Sequence, residues 1–189
     1  MNKIILSVLL ALLSVACMPT AFVAGAAVGG AVIYDQRSAK TMLDDQDIAY
    51  RAQARLDHDA ELKQKAHLSV AAFDRAVLLV GQAPSSDLKS RAEDIVRTVP
   101  KVARIYNEIT IENPSSNIAT ANDAWITTKV KTALLAEKGL NSAQLKIVTE
   151  SGVVYMMGIV SHAQADLATA CVRKVGGVQK IVKLFEYLN

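Results

Sequence analysis

The chain is poor in the residues that most often carry chemistry. Its 189 residues include two cysteines, three histidines and one tryptophan, and aromatic side chains make up 5%. The histidines, His58, His67 and His162, fall in different stretches without metal-ligand spacing. No Ser/His/Asp order and no nucleophile elbow is present. The glycines at 25, 29 and 30 match neither a phosphate loop nor a dinucleotide fingerprint, because no Gly-Lys-Ser/Thr and no strand–turn–helix context follows. Net charge is only +3 with no dense basic patch, which argues against nucleic acid. The paired acids Asp44-Asp45 and Asp57-x-Asp59 stand in linker and helix-end contexts and read as solvated charge. These absences point to a non-enzymatic chain with no cofactor, no metal and no small-molecule substrate.

What is present begins at the N-terminus. Lys3 precedes an apolar run from Ile4 to Leu13, and Ser14-Val15-Ala16-Cys17 follows. A basic start, a short apolar core and small residues make a secretory signal over residues 1–16. The stretch resembles a lipoprotein signal, in which Cys17 becomes the first mature residue and carries the lipid anchor. Ser14 departs from the leucine usual at that place. Met18 rather than an aspartate after the cysteine implies the outer membrane, facing the periplasm. An uncleaved anchor helix is the alternative, although Pro19 and the glycines suit it poorly. Once Cys17 is lipidated, Cys171 has no companion for a disulfide or a metal. Residues 18–34 are small and apolar and read as a membrane-proximal leash, and 35–46 as polar linker, so that 17–46 is one lipidated, flexible segment.

An internal repeat organises the remainder. One copy spans about 47–112 and the other 123–189, joined by a linker at 113–122 around Pro114-Ser115-Ser116-Asn117. Ile48, Ala52 and Leu56 in the first copy answer Ile126, Val130 and Leu134 in the second. A hairpin follows each, turning near Asp74-Arg75 and at Ser151-Gly152 between alternating apolar residues. A second helix carries Ala92, Ile95, Val96 and Val99 in one copy, and Ala168, Cys171, Val172 and Val175 in the other. Cys171 therefore occupies the core position of Ile95 and reads as a buried, inert thiol. A last strand closes each copy, Val102 to Ile111 and Val178 to Tyr187. The expectation is an α+β fold: two tandem αββαβ domains, each a three-stranded mixed sheet with two helices packed on one face.

The stretch from Asn122 to Leu135 reads as an amphipathic helix capped by Asn122 or Asp123. At 100° per residue, Ile126, Val130, Ala133 and Leu134 form the core stripe. Trp125, Thr128, Lys129 and Thr132 cluster on the other side. An indole beside a lysine suits a membrane–water interface; the alternative is that Trp125 folds back under a neighbouring element as core. The two copies differ here. Trp125 falls opposite Asp47 and Leu135 opposite Asp57, so the first copy has acids where the second has apolar groups. Residues 47–112 hold ten basic and ten acidic side chains, whereas 123–189 hold eight basic and five acidic. The basic excess thus sits in the copy bearing Trp125.

The αββαβ unit, with a glycine ending the second strand (Gly81, Gly158) and a Val-x-x-Val step into the third (Val99 to Val102, Val175 to Val178), resembles the BON domain. Two such units behind a lipoprotein signal resemble the dual BON-domain outer-membrane lipoproteins associated with division and outer-membrane stress. Asn122 to Val130, Val77 to Gln82 and Ile105 to Ile109 carry that likeness. The resemblance implies binding of an anionic phospholipid membrane, notably phosphatidylglycerol, through the first helix of the second domain. It also implies support of outer-membrane integrity, gathering at division sites and association with the β-barrel assembly machinery. The lipid-contact positions it implies are Trp125, Lys129, Val130, Lys131 and Leu134, of which Val130 and Leu134 also have the core reading. The alternative function is a periplasmic protein-interaction adaptor for such envelope machinery.

Overall fold

A computed structural model describes residues 38–114 and 117–188. The expected signal at 1–16, the lipid anchor at Cys17 and the leash lie outside the described residues.

The first domain opens with α1 (Ala39–His58). Ser38 caps it, its Oγ accepting the Thr41 amide at 3.1 Å. The helix therefore begins inside the segment read as linker, and 39–46 are two of its turns. Ile48, Ala52 and Leu56 face inward, as the repeat predicts. Asp59 then starts a short α2 (Ala60–Lys65), accepting the Glu61 and Leu62 amides at 3.1 and 3.0 Å. This helix has no counterpart in the expected pattern, and it adds Leu62 to the core. β1 (His67–Phe73) and β2 (Ala76–Ala83) form an antiparallel hairpin, followed by α3 (Ser86–Arg97). The last strand is split into β3 (Arg104–Asn107) and β4 (Thr110–Ile111), both parallel to β2. The gap lies beside Gly81, whose φ of +117° bends β2, and Ile109 turns into the core there.

The second domain repeats the plan. It comprises α4 (Asn117–Ala136), a 3₁₀ turn at Ser142–Gln144, β5 (Leu145–Glu150), β6 (Val153–Val160), α5 (His162–Arg173) and an unbroken β7 (Lys180–Tyr187). Strands pair in the order β5-β6-β7, antiparallel then parallel. α4 starts before Asn122, so neither Asn122 nor Asp123 caps it, and most of the expected linker is helical. The expectation that one of them accepts first-turn amides is corrected.

Asp123 has another task. Both hairpins turn through two residues with positive φ, Asp74 and Arg75 (47° and 63°) and Ser151 and Gly152 (49° and 75°). Such primed turns match the strand twist, but aim two backbone N–H groups away from the ladder. Asp45 accepts both in the first domain at 2.8 Å, and Asp123 both in the second at 2.6 and 2.8 Å. Each carboxylate thus fastens a hairpin to the helix before it. Asp45, read as solvated charge, is buried.

Each domain has its own core between helices and sheet. A third apolar cluster lies between the sheets. Ala71, Phe73, Ala76, Leu78 and Val80 of the first domain meet Tyr155 and Met157 of the second. The layers are therefore helix, sheet, sheet, helix. Burial between the sheets pushes the Tyr155 hydroxyl up to about 12. The fully buried Gln82 amide crosses the seam, donating to Glu150 Oε1 at 2.6 Å and Ser151 Oγ at 3.0 Å. Lys146 donates to the Ala72 carbonyl, and Arg104 pairs with Glu186 at 3.1 Å.

Candidate membrane-docking site on the second domain

The period of α4 separates its residues cleanly. Ile126, Val130 and Leu134 point into the domain core and are at most 1% exposed. Trp125 and Leu135 are each 62% exposed on the opposite side. Ala121, Ala124, Thr128, Lys131 and Thr132 are exposed along with them. The outer stripe is less polar than its composition implies. Thr128 donates its hydroxyl to the Ala124 carbonyl at 3.0 Å, and Thr132 to the Thr128 carbonyl at 2.9 Å. Such back-bonding satisfies the hydroxyls within the helix.

Lys129 flanks the stripe, half-buried. Its ammonium lies 5.9 Å from the centroid of the Trp125 ring, a cation–π separation. The same Nζ donates to the carbonyl of Gly176 in the loop after α5. Gly177 of that loop packs on Ile126, leaving only 3.1 Å to Ile126 Cγ1 for an added Cβ. The helix and the α5–β7 loop therefore form one surface.

Charge is distributed unevenly. Among the described residues, no ion pair lies wholly within the second domain. The first domain holds, among others, Arg51–Asp47, Lys65–Glu61, Arg91–Asp59 and Lys101–Asp44. Lys101 holds the Asp44 carboxyl below the usual range, and the Leu62 amide does so for Asp59, aided by Arg91. Among the described residues, Lys131, Lys138, Arg173, Lys174, Lys180 and Lys183 have no carboxylate partner in an ion pair.

The helix equivalent in the first domain differs as the sequence comparison predicts. Asp47 stands in the place of Trp125 and pairs with Arg51 at 2.7 Å. Its outer face still carries Leu43 and Tyr50, 65% and 76% exposed.

The structure thus brings Trp125, Lys129 and Lys131 to one surface. Val130 and Leu134 are not on it. The helical period gives them to the core, and their place among the implied lipid contacts is corrected. Leu135 and the back-bonded threonines were not singled out as contacts, although the opposition of Leu135 to Asp57 was a readable signal. Cys171 is buried, and desolvation raises its thiol.

The chain matches the BON domain profile twice, at residues 44–113 and 122–189. It is 31% identical over 169 residues to outer membrane lipoprotein DolP of Haemophilus influenzae, covering 89% of this chain and 88% of that protein. It is 38% identical over 155 residues to a 21 kDa hemolysin of Actinobacillus pleuropneumoniae, covering 82% and 80%. The osmotically-inducible protein Y of Escherichia coli is 29% identical over 143 residues, covering 74% and 70%. Two BON matches spanning most of the chain, on a fold that repeats helix, hairpin, helix and parallel strand, agree with this likeness: the chain belongs to the BON-domain family, as a two-domain member of the DolP type.

Proposed function

We propose that this chain is a non-enzymatic outer-membrane lipoprotein, anchored through Cys17 on the periplasmic side, whose second domain docks on anionic phospholipid such as phosphatidylglycerol. The observation that carries the reading is the outer stripe of α4. An indole, a leucine and two exposed threonines whose hydroxyls are satisfied within the helix lie on one face. Lys129 and Lys131 flank them. Apolar groups gain by entering the headgroup–acyl boundary, and each basic side chain near an anionic surface adds about 1 kcal/mol, reduced by salt. Such docking is weak alone. A lipid tether at Cys17 raises the effective concentration of the surface at the bilayer. The name of the Haemophilus relative supports the location. A role in outer-membrane integrity and enrichment at division sites follow from the family resemblance.

A second reading is favoured by Leu43 and Tyr50. They sit on the helix layer of the first domain, across both sheets from α4. That face suits an adaptor role toward envelope machinery such as β-barrel assembly, and both roles can operate together.

Trp125 is the only tryptophan, so its emission tests the first reading. Titration of residues 35–189 with phosphatidylglycerol vesicles should shift the emission to the blue. Zwitterionic vesicles should not, and salt should weaken the effect. No shift in a folded sample would sink lipid docking by α4 and favour the adaptor.

A further inference from the structure

The α5–β7 loop joins the docking helix to the unpaired cations of the second domain. Lys129 of α4 donates to Gly176, and Gly177 rests on Ile126. The loop is also fixed at its far end, where the Gln179 amide donates to Gly152 at 2.9 Å. Arg173 and Lys174 precede it, and Lys180 follows. All three are exposed, and none has an ion-pair partner among the described residues. Between them is a shallow depression of about 320 Å³ lined by Arg173, Val178, Gln179, Lys180 and Ile181. A cation pair flanking an amide side chain has the chemistry of a phosphate monoester or diester site. A Cβ at Gly176 would meet no atom within 4 Å, so the backbone there is open to approach.

We infer that this loop, with Arg173 and Lys180 at its ends, is a second arm of the docking surface that receives the phosphate of an anionic phospholipid headgroup. The inference rests on the lipid-docking reading of α4 and adds the headgroup's place. Trp125 and Leu135 enter the boundary, while Arg173, Gln179 and Lys180 meet phosphate on the loop side. Lipid in a bilayer, rather than free phosphate, is the occupant, because the depression is open and its loop is tied through Lys129 and Gly177 to the helix that carries the exposed Trp125.

The test uses the mature chain, 17–189, carrying Cys17→Ser so that the tether does not set the affinity. Binding to phosphatidylglycerol vesicles is measured over a range of salt for this chain, for Arg173→Gln/Lys180→Gln, and for Lys63→Gln/Arg75→Gln. The last pair removes the same charge from exposed positions of the first domain. Neither pair breaks an ion pair, and circular dichroism verifies folding. The loop variant should bind about 25-fold more weakly at low salt, roughly fivefold for each basic group lost near an anionic surface, with a shallower salt dependence. The first-domain variant should match the parent. Glycerol 3-phosphate in solution should not compete at millimolar levels, and effective competition would overturn the bilayer assignment. Equal weakening in both variants would reduce the effect to net charge and overturn the inference. A loop variant that binds like the parent would overturn it while leaving α4 docking intact. A parent that fails to bind would remove both readings.

Discussion

Asp123 holds Ser151 by its backbone: Oδ2 accepts the Ser151 amide at 2.6 Å while Oδ1 takes that of Gly152 at 2.8 Å. The carboxylate ties α4 to the hairpin beneath it, and Asp45 does the same for Asp74 and Arg75. Asp123→Ala strands two amides at a site with little solvent. It should cost about 2–6 kcal/mol, at about 1–3 kcal/mol for each of the two hydrogen bonds left unmade. Asp123→Asn keeps one acceptor and should cost about half as much. Urea denaturation of the three proteins checks the order.

Trp125 and Leu134 lie on opposite faces of α4, 62% and 1% exposed, so substitutions there should behave oppositely. Trp125→Glu places a charge where the native side chain is already mostly in water, so stability should stay within about 0.5 kcal/mol of the parent. Leu134→Ala opens a cavity in the second core and should cost about 2–4 kcal/mol. Thermal unfolding distinguishes them. A Trp125→Glu protein that unfolds would mean the indole is structural, and the surface reading would lose its basis.

Gly81 and Gly139 both have positive φ, at 117° and 81°, but their surroundings differ. A Cβ at Gly81 would lie 1.9 Å from the His67 carbonyl oxygen, on the backbone of the paired strand. Gly81→Ala therefore requires β1 to move as well as a strained φ, and should cost roughly 3 kcal/mol or more. Gly139→Ala meets nothing within 4 Å and should cost only about 1–2 kcal/mol, the backbone term alone. Chemical denaturation of the two variants measures the difference.

Glu150 should make stability depend on pH. Burial raises its carboxyl above the usual range, opposed by the Gln82 hydrogen bond and by His67, and reinforced by Asp123 and Glu112. The folded state therefore holds the proton more tightly than the unfolded chain. This contribution is fully favourable below the ordinary carboxylate range and is lost as pH rises through the folded value. The urea midpoint of the parent should fall relative to that of Glu150→Gln between pH 4 and pH 7. A gap that stays constant over that range would show that Glu150 is not the responsible group.

Much of this was legible in the sequence. The 3.6-residue spacing of Ile48, Ala52 and Leu56 predicted their burial, and Ser151-Gly152 marked its hairpin. The exposure of Trp125 followed from its angle to Ile126. The buried carboxylates were not legible, because an aspartate that accepts two backbone amides looks in sequence like any solvated acid. Asp45 was hidden further by its neighbours Asp44 and Gln46, which made the start of α1 resemble linker. Val130 and Leu134 show the limit of a transferred site. Family resemblance gave them a ligand role, while their own periodicity had already placed them inside. The seam between the sheets also leaves a signal in the sequence. Val77-Leu78-Leu79-Val80 is apolar at every position, which a strand solvated on one face does not need.

That seam leads to the last prediction. Leu78 and Met157 are fully buried in the cluster between the two sheets, and Gln82 bonds across it. If the seam contributes as a core does, the domains unfold together. Cys171 reports opening of the second domain, because burial both shields its thiol and raises it, so that alkylation is slow in the folded state. In residues 17–189 with Cys17→Ser, alkylation of Cys171 and loss of circular dichroism should follow the same urea transition. Leu78→Ala/Met157→Ala removes apolar contact from both sides of the seam but leaves the helix–sheet cores intact. It should lower total stability by roughly 4 kcal/mol or more, from two large-to-small core substitutions. It should also separate the two transitions, since each domain then unfolds on its own core. Coincident transitions in the double variant would mean that the domains are coupled by something other than this apolar contact, with the polar bridges of Gln82 and Lys146 the next to remove.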